Sequence, residues 1–300
     1  MQDKKLKIGY FADGPWAHEA FELLIADPEI EIQFIVPRTD TQDNTLKNYA
    51  EANNIDYLYP VKINSQEFYE KAKSYNSDLF VSMSFNQIFR KPIIELPRLN
   101  TINCHAGKLP FYRGRNILNW ALINGEEEFG ITVHFVDEGI DTGDIILQRC
   151  FPIQQDDNYA TLLEKAFKEC AVILYDAIKQ IQAGTNERIA QTQIHPVGFY
   201  CGKRGEGDEI INWNQSSKNL YNFIRSICKP GPMATTFKGE YVVKINKCKM
   251  IPDAPSYINT PGQILSKTSD GFLVKTLDSF VEIQDIYSEI KLRVGDKLGK

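Results

Sequence analysis

Between Lys7 and Phe151, short apolar runs alternate with helix-length amphipathic segments, and this alternation constrains the fold more than any other feature. Strands are expected at Lys7–Phe11, Ile30–Val36, Tyr57–Pro60, Leu79–Ser84, Thr101–His105, Gly130–Val136 and Ile145–Phe151. Helices are expected at Glu19–Ile25, Thr45–Asn53, Gln66–Tyr75 and Ile117–Ile123. Leu79–Ser84 is almost wholly apolar, as a strand covered on both faces must be. Strands alternating with helices predict βαβ units and an α/β, Rossmann-like, doubly wound and mostly parallel sheet. Such a sheet binds ligands at the carboxyl ends of its strands, where the strand order reverses. A long helix follows over Thr161–Gly184, with apolar residues at 3.6 spacing and Gly184 as its C-cap. After the glycine- and charge-rich stretch Cys201–Asp208 come a helix at Asn219–Cys228 and short strands with turn signals between them. The 300 residues therefore read as two domains, 1–200 and a β-rich 201–300.

Composition removes several classes. No run of about 18 apolar residues exists, so no helical membrane span is expected. The lysine-rich start is interrupted by Asp13 and Gly14, unlike a signal peptide, and predicts a cytoplasmic protein. The six cysteines form no C-x-x-C pair, which argues against a metal site and for reduced thiols. Neither G-x-G-x-x-G nor a Walker A sequence is present, so dinucleotide and P-loop readings lack support. Residues 1–200 carry 19 basic and 28 acidic side chains, and residues 201–300 carry 15 and 11. The second part could meet an anion, or simply differ in its solvated surface.

The chemistry-bearing residues cluster between Leu99 and Gln148. Asn103 and His105 end a short strand two residues apart, so their side chains share one face. Asp141 lies in the glycine-flanked loop VDEGIDTGD. A carboxylate beside a histidine orients its tautomer and favours its charged form. An asparagine amide can donate to a developing oxyanion. The three suit acyl transfer through a tetrahedral intermediate without a protein nucleophile. Cys104 could be read as a nucleophile, but alternation aims it at the opposite face.

The spaced motifs N-x-H-x-x-x-L-P-x-Y-R-G, W-A-x-x-N-G-E, G-I-T-V-H and D-E-G-x-D-T-G-D-I resemble those of the folate-dependent formyltransferase family. PGQILSKTSDGFLVKTLDSFVEIQDI resembles the small OB-like β-barrel that follows the catalytic domain in some members. The resemblance implies an N-formyltransferase whose catalytic domain is 1–200 and whose donor is N10-formyltetrahydrofolate. It implies Asn103, His105 and Asp141 as catalytic residues. Asn86, Gln87, Ile88 and Phe89, with Asp137, Gly139 and Ile140, would line the folate pocket. Tyr112, Arg113 and Gly114 match the motif that closes the site. His-Ala-Gly-Lys at 105–108 departs from the common His-Pro-Ser-Leu.

The acceptor is less sharply written. The tRNA-modifying members carry a basic insertion after the second strand, whereas Pro37–Glu51 here holds two basic and three acidic residues. A phosphate-gripping loop should be rich in Lys and Arg. That favours a nucleotide-linked amino sugar, such as a 4-amino-4,6-dideoxy sugar of O-antigen or lipopolysaccharide synthesis. Trp16 could stack a base or pack the sheet edge. Lys203, Arg204 and the Pro230 segment resemble a stretch of an enzyme acting on UDP-4-amino-4-deoxyarabinose. Lys244, Lys247 and Lys249 speak for nucleic acid, or for an edge strand guarded by lysines. Methionyl-tRNA formylation stays open, as do formyl-folate hydrolysis, a non-catalytic folate-binding module and a homodimer.

Overall fold

The computed structural model describes residues 5–40, 44–59 and 61–299. The expected strand residue Pro60 and residues 41–43 of the acidic connection lie outside them. Contacts divide the chain into two interleaved units. The first comprises 1–114, 129–151 and 164–201, and the second 115–128, 152–163 and 202–300.

In the first unit the chain runs β1 (Leu6–Ala12), α1 (Pro15–Ala26), β2 (Ile30–Val36), α2 (Thr45–Ala52), β3 (Asp56–Tyr57), α3 (Gln66–Ser74), β4 (Leu79–Met83), α4 (Lys91–Ile94), β5 (Thr101–His105) and β6 (Arg113–Gly114). Helix α5 (Ile117–Asn124) belongs to the second unit. Strands β7 (Glu128–Phe135) and β8 (Ile145–Pro152) follow, then α6 (Tyr159–Ala183), α7 (Gln191–Ile194) and β9 (Tyr200–Cys201). The main sheet has the order β3-β2-β1-β4-β5-β7-β8. Pairing is parallel from β3 through β5 and antiparallel between β5 and β7. The chain works outward from β1 to β3, then returns to lay β4 on the other side, so the order reverses between β1 and β4.

Every residue of β4 is buried, as its apolar run requires. One side of the sheet is filled by aromatic rings: Phe11 meets Phe34, Phe68, Phe80, Phe85 and Phe89 at 5.1–5.9 Å. Each fully buried ring contributes about 1.5–3 kcal/mol. Local signals set the helix ends. Ser65 accepts from the Phe68 amide at the start of α3, and Lys71 and Lys73 sit in its last turn, against the negative end of the helix dipole. Gly184 ends α6 in the left-handed conformation, its amide bonded to the Ile181 carbonyl.

The second unit contains α8 (Ser217–Ser226), β10 (Ala234–Lys238), β11 (Tyr241–Met250), β12 (Ile264–Lys267), β13 (Gly271–Lys275) and β14 (Phe280–Ser288). These strands form an antiparallel sheet of order β10-β11-β14-β13-β12. Leu220 and Ile224 of α8 join Val243, Ile245, Val274, Val281 and Ile283 in its core. Helix α5 packs on α8, where Asn119 Nδ2 donates to the Ser226 carbonyl at 2.6 Å. The lysine-bearing strand is not an edge over its first half: β10 pairs with Tyr241–Ile245, and Lys247–Met250 pair with β14. The glycine-rich Cys201–Asp208 stretch is an ordered loop, with the Gly205 amide bonded to Asp208 Oδ2.

Candidate active site

Strand alternation and antiparallel register build the site. Asn103 and His105 point to one face of β5, while Cys104 points to the other, its thiol 3.7 Å from the Cys170 carbonyl of α6. In the β5–β7 ladder Asn103 stands opposite His134, and His105 opposite Thr132. Asn103 Nδ2 lies 3.3 Å from His134 Nε2. Thr132 Oγ1 donates to the Gly107 carbonyl at 2.7 Å and fixes the turn after β5. His134, within the G-I-T-V-H motif, was not expected in the site, because nothing local reveals which residue of β7 will face Asn103.

Asp141 enters from the loop between β7 and β8, with its backbone left-handed at φ 54°. Its Oδ2 lies 3.6 Å from His105 Nδ1, and its Oδ1 lies 3.5 Å from His134 Nε2. The Gly114 amide donates to Oδ2 at 2.8 Å. Burial raises the Asp141 carboxyl, but the His105 and His134 imidazoles and the Gly114 amide outweigh it and hold the group well below the ordinary carboxylate range. That stabilisation of the charge by the rings requires their charged forms, in which both nitrogens carry protons.

Backbone carbonyls assign the ring protons, since a carbonyl only accepts. His105 Nε2 donates to the Tyr112 carbonyl at 2.7 Å, leaving Nδ1 toward Asp141. His134 Nδ1 donates to the Phe135 carbonyl at 2.8 Å, leaving Nε2 toward Asn103 and Asp141. The turn carrying Tyr112 is itself constrained. Tyr112 is left-handed at φ 56°, and Gly114 at φ 97° lies so close to Cys201 that a Cβ would sit 2.4 Å from its carbonyl oxygen. A Cβ on Gly107 would fall 2.4 Å from His105 Nε2 and 2.5 Å from the Tyr112 oxygen. The Gly107 that replaces the family's usual serine is therefore matched to the His105–Tyr112 contact.

Beyond this centre the expected residues take varied places. Arg113 donates through Nε and Nη2 to Gln191 Oε1, with its guanidinium 5.5 Å from the Tyr200 ring centre. In the Asn86–Phe89 loop, Asn86 bonds Thr39, and Gln87 uses its amide on Ile63 and Val61. Phe89 is buried in the aromatic cluster, whereas Ile88 is 54% exposed. In the second loop, Asp137 accepts from the Gly139 amide, and Ile140 is 52% exposed. Each of these loops thus leaves one isoleucine open to solvent. Trp16 packs edge-on against Phe167 of α6 at 4.6 Å, on the face to which Cys104 points.

Lys203, Arg204 and Pro230 lie in the second unit. Arg204 stacks near Trp120 and Phe223, and burial lowers its pKa against the pull of Asp208 and Glu209. It lines a cavity of about 360 Å³ with Asn116, Tyr159 and the carboxylates Glu206, Asp208 and Glu209. Asp208 and Glu209 are engaged in the loop itself, accepting from the Gly205 and Gly207 amides. Among the described residues no group of three or more His, Cys, Asp or Glu is placed to hold a metal ion, and no helix is long and apolar enough to cross a membrane.

The sequence matches the family model for formyl transferase over residues 33–178 and the model for the formyl transferase C-terminal domain over 205–295. It is 32% identical over 278 residues to the methionyl-tRNA formyltransferase of Clostridioides difficile strain 630, covering 90% of this chain and 88% of that one. The chain belongs to the folate-dependent formyltransferase family. It is accordingly an N-formyltransferase, of a family whose donor is N10-formyltetrahydrofolate. The methionyl-tRNA formyltransferase of Staphylococcus aureus strain MW2 is also 32% identical, over 250 residues, covering 83% and 79% of the two chains. The fold of this formyltransferase is also that of WlaRD, a sugar 3N-formyltransferase solved with dTDP and 5-N-formyl-THF, at TM-score 0.71 and 23% identity over 96% and 99% of the chains. The N-formyltransferase from Helicobacter canadensis, solved with folinic acid and dTDP-3-aminofucose, aligns at TM-score 0.69 and 22% identity over 94% and 100%.

Proposed function

We propose that this formyltransferase formylates the primary amine of a nucleotide-linked amino sugar, with Asn103, His105 and Asp141 as its catalytic residues. The observation that carries the acceptor choice is the connection between β2 and α2. Its single basic residue, Arg38, is bound by Asp40, with Nε 2.8 Å from Oδ1 and Nη2 2.8 Å from Oδ2. Arg38 also donates to the Ser84 carbonyl at 3.3 Å. A paired guanidinium tied to the sheet offers little to an RNA backbone.

In this reading the Asn86–Phe89 and Asp137–Asp141 loops hold the pterin of the formyl donor. The amine nitrogen attacks the formyl carbon, and Asn103 donates to the oxygen that gains charge. The Asp141 carboxylate takes the proton lost by the amine and passes it to His105 Nδ1, while His105 Nε2 gives its proton to the folate nitrogen as that nitrogen's bond to carbon breaks, so protons balance. His105 Nε2 reaches the reacting centre once the Tyr112 carbonyl releases it; catalytic contacts commonly tighten only when substrate binds.

Methionyl-tRNA as acceptor is the second reading. It is favoured by the 32% identity to the Clostridioides difficile enzyme and by Lys247 and Lys249, both exposed on β11. The test is a mass-spectrometric assay with N10-formyltetrahydrofolate, a panel of UDP-, dTDP- and GDP-linked amino sugars and, in parallel, Met-tRNA. A formylated sugar with untouched tRNA supports the first reading. Formylated tRNA alone overturns it in favour of the second, and donor loss without any amine reveals a hydrolase.

A further inference from the structure

Gln191, the first residue of α7, is 4% exposed and uses its whole side chain. Nε2 donates to the Asp141 carbonyl at 2.8 Å and to the Gly143 carbonyl at 2.9 Å. Oε1 accepts from Arg113 Nε at 3.1 Å and Nη2 at 2.6 Å. Carbonyls only accept and guanidinium only donates, so the amide has one possible orientation.

These four bonds join the two segments that shape the catalytic centre. One is the loop in which Asp141 adopts its left-handed backbone, a conformation that a non-glycine residue holds only where its surroundings enforce it. The other is the turn in which Tyr112 accepts from His105 and Gly114 donates to Asp141. We infer that Gln191 is a positioning residue for formyl transfer: it fixes the Asp141 backbone and the Arg113 turn together, so that the carboxylate stays between the two imidazoles. This rests on the reading of Asp141 as catalytic. The side chain touches none of Asn103, His105 or the Asp141 carboxylate in the contacts above, so it acts through them.

The test uses Gln191→Met, Gln191→Glu, Asp141→Asn and the Gln191→Met/Asp141→Asn double variant, with the acceptor found by the assay above. Glutamate still binds Arg113 but cannot donate to the two carbonyls. Both single Gln191 variants are expected to lose about 100-fold in kcat, the cost of a misplacement of about 1 Å, with KM for the acceptor moving much less. In the Asp141→Asn background, Gln191→Met should cost less than about threefold more, because both changes disable one device. Wild-type kcat in Gln191→Glu overturns the assignment and reduces the residue to an anchor for Arg113. A full multiplicative loss in the double variant also overturns it. Should Gln191→Met fail to fold, Gln191→Glu with its own Asp141→Asn double carries the same comparison. Full activity in Asp141→Asn itself strikes down the catalytic reading, a result distinct from failure of Gln191 alone.

Discussion

Asn103 and His134 are direct cross-strand partners, with Asn103 Nδ2 3.3 Å from His134 Nε2. The amide that would meet the oxyanion is thereby braced by an imidazole, which also lies 3.5 Å from Asp141. Replacing His134 by Phe keeps the ring volume and removes both contacts. We expect kcat to fall about 10- to 100-fold through misorientation of the amide. Steady-state rates at matched folded fraction check this, and unchanged kcat would remove His134 from the site.

His105→Ala and Asp141→Asn test the catalytic centre itself. Each should lose about 10²–10⁴-fold in turnover, the usual contribution of a general acid–base group. Near wild-type turnover in both variants would mean that the chemistry is elsewhere.

The depressed Asp141 carboxyl also makes stability depend on pH. A carboxyl whose folded pKa lies below its unfolded value of about 4 stabilises the fold above that pH. That contribution is lost as pH falls through the lower folded value. Wild type should therefore lose stability relative to Asp141→Asn as pH falls below about 4. Urea unfolding of both proteins across pH 3–8 measures it; a wild type that gained stability relative to the variant on acidification would contradict the assigned electrostatics.

Gly107 is confined by His105 Nε2 and the Tyr112 oxygen, so a methyl group there must displace one of them. Gly107→Ala is expected to cut kcat by about 100-fold, in proportion to the imidazole's shift. Retention of wild-type kcat would show that the turn after β5 yields without moving His105.

Cys104 faces Cys170 on the side of the sheet away from Asn103 and His105. Cys104→Ala should keep kcat within about twofold, and any loss should fall on thermal stability as a small core cavity does. Loss of turnover with unchanged stability would revive the thiol as a participant.

The sequence by itself determined the layered α/β architecture, because a strand covered on both faces must read as a near-continuous apolar run, as Leu79–Met83 does with Ser82 its one polar residue. It also determined that Asn103 and His105 share a face and Cys104 does not, since alternation along a strand is local geometry. Motif likeness placed Asp141 beside them. Only the tertiary structure decided that His134, 31 residues from Asn103, stands opposite it, because the register of β5 on β7 depends on how two distant strands bury their faces. Only the fold brought Gln191, 50 residues beyond Asp141, onto its carbonyl. Nor could the residue types foresee that Trp16 would spend its ring on Phe167 and Gln87 its amide on the backbone. A side chain's type states which bonds it can make, and the packing around it decides which of them it makes.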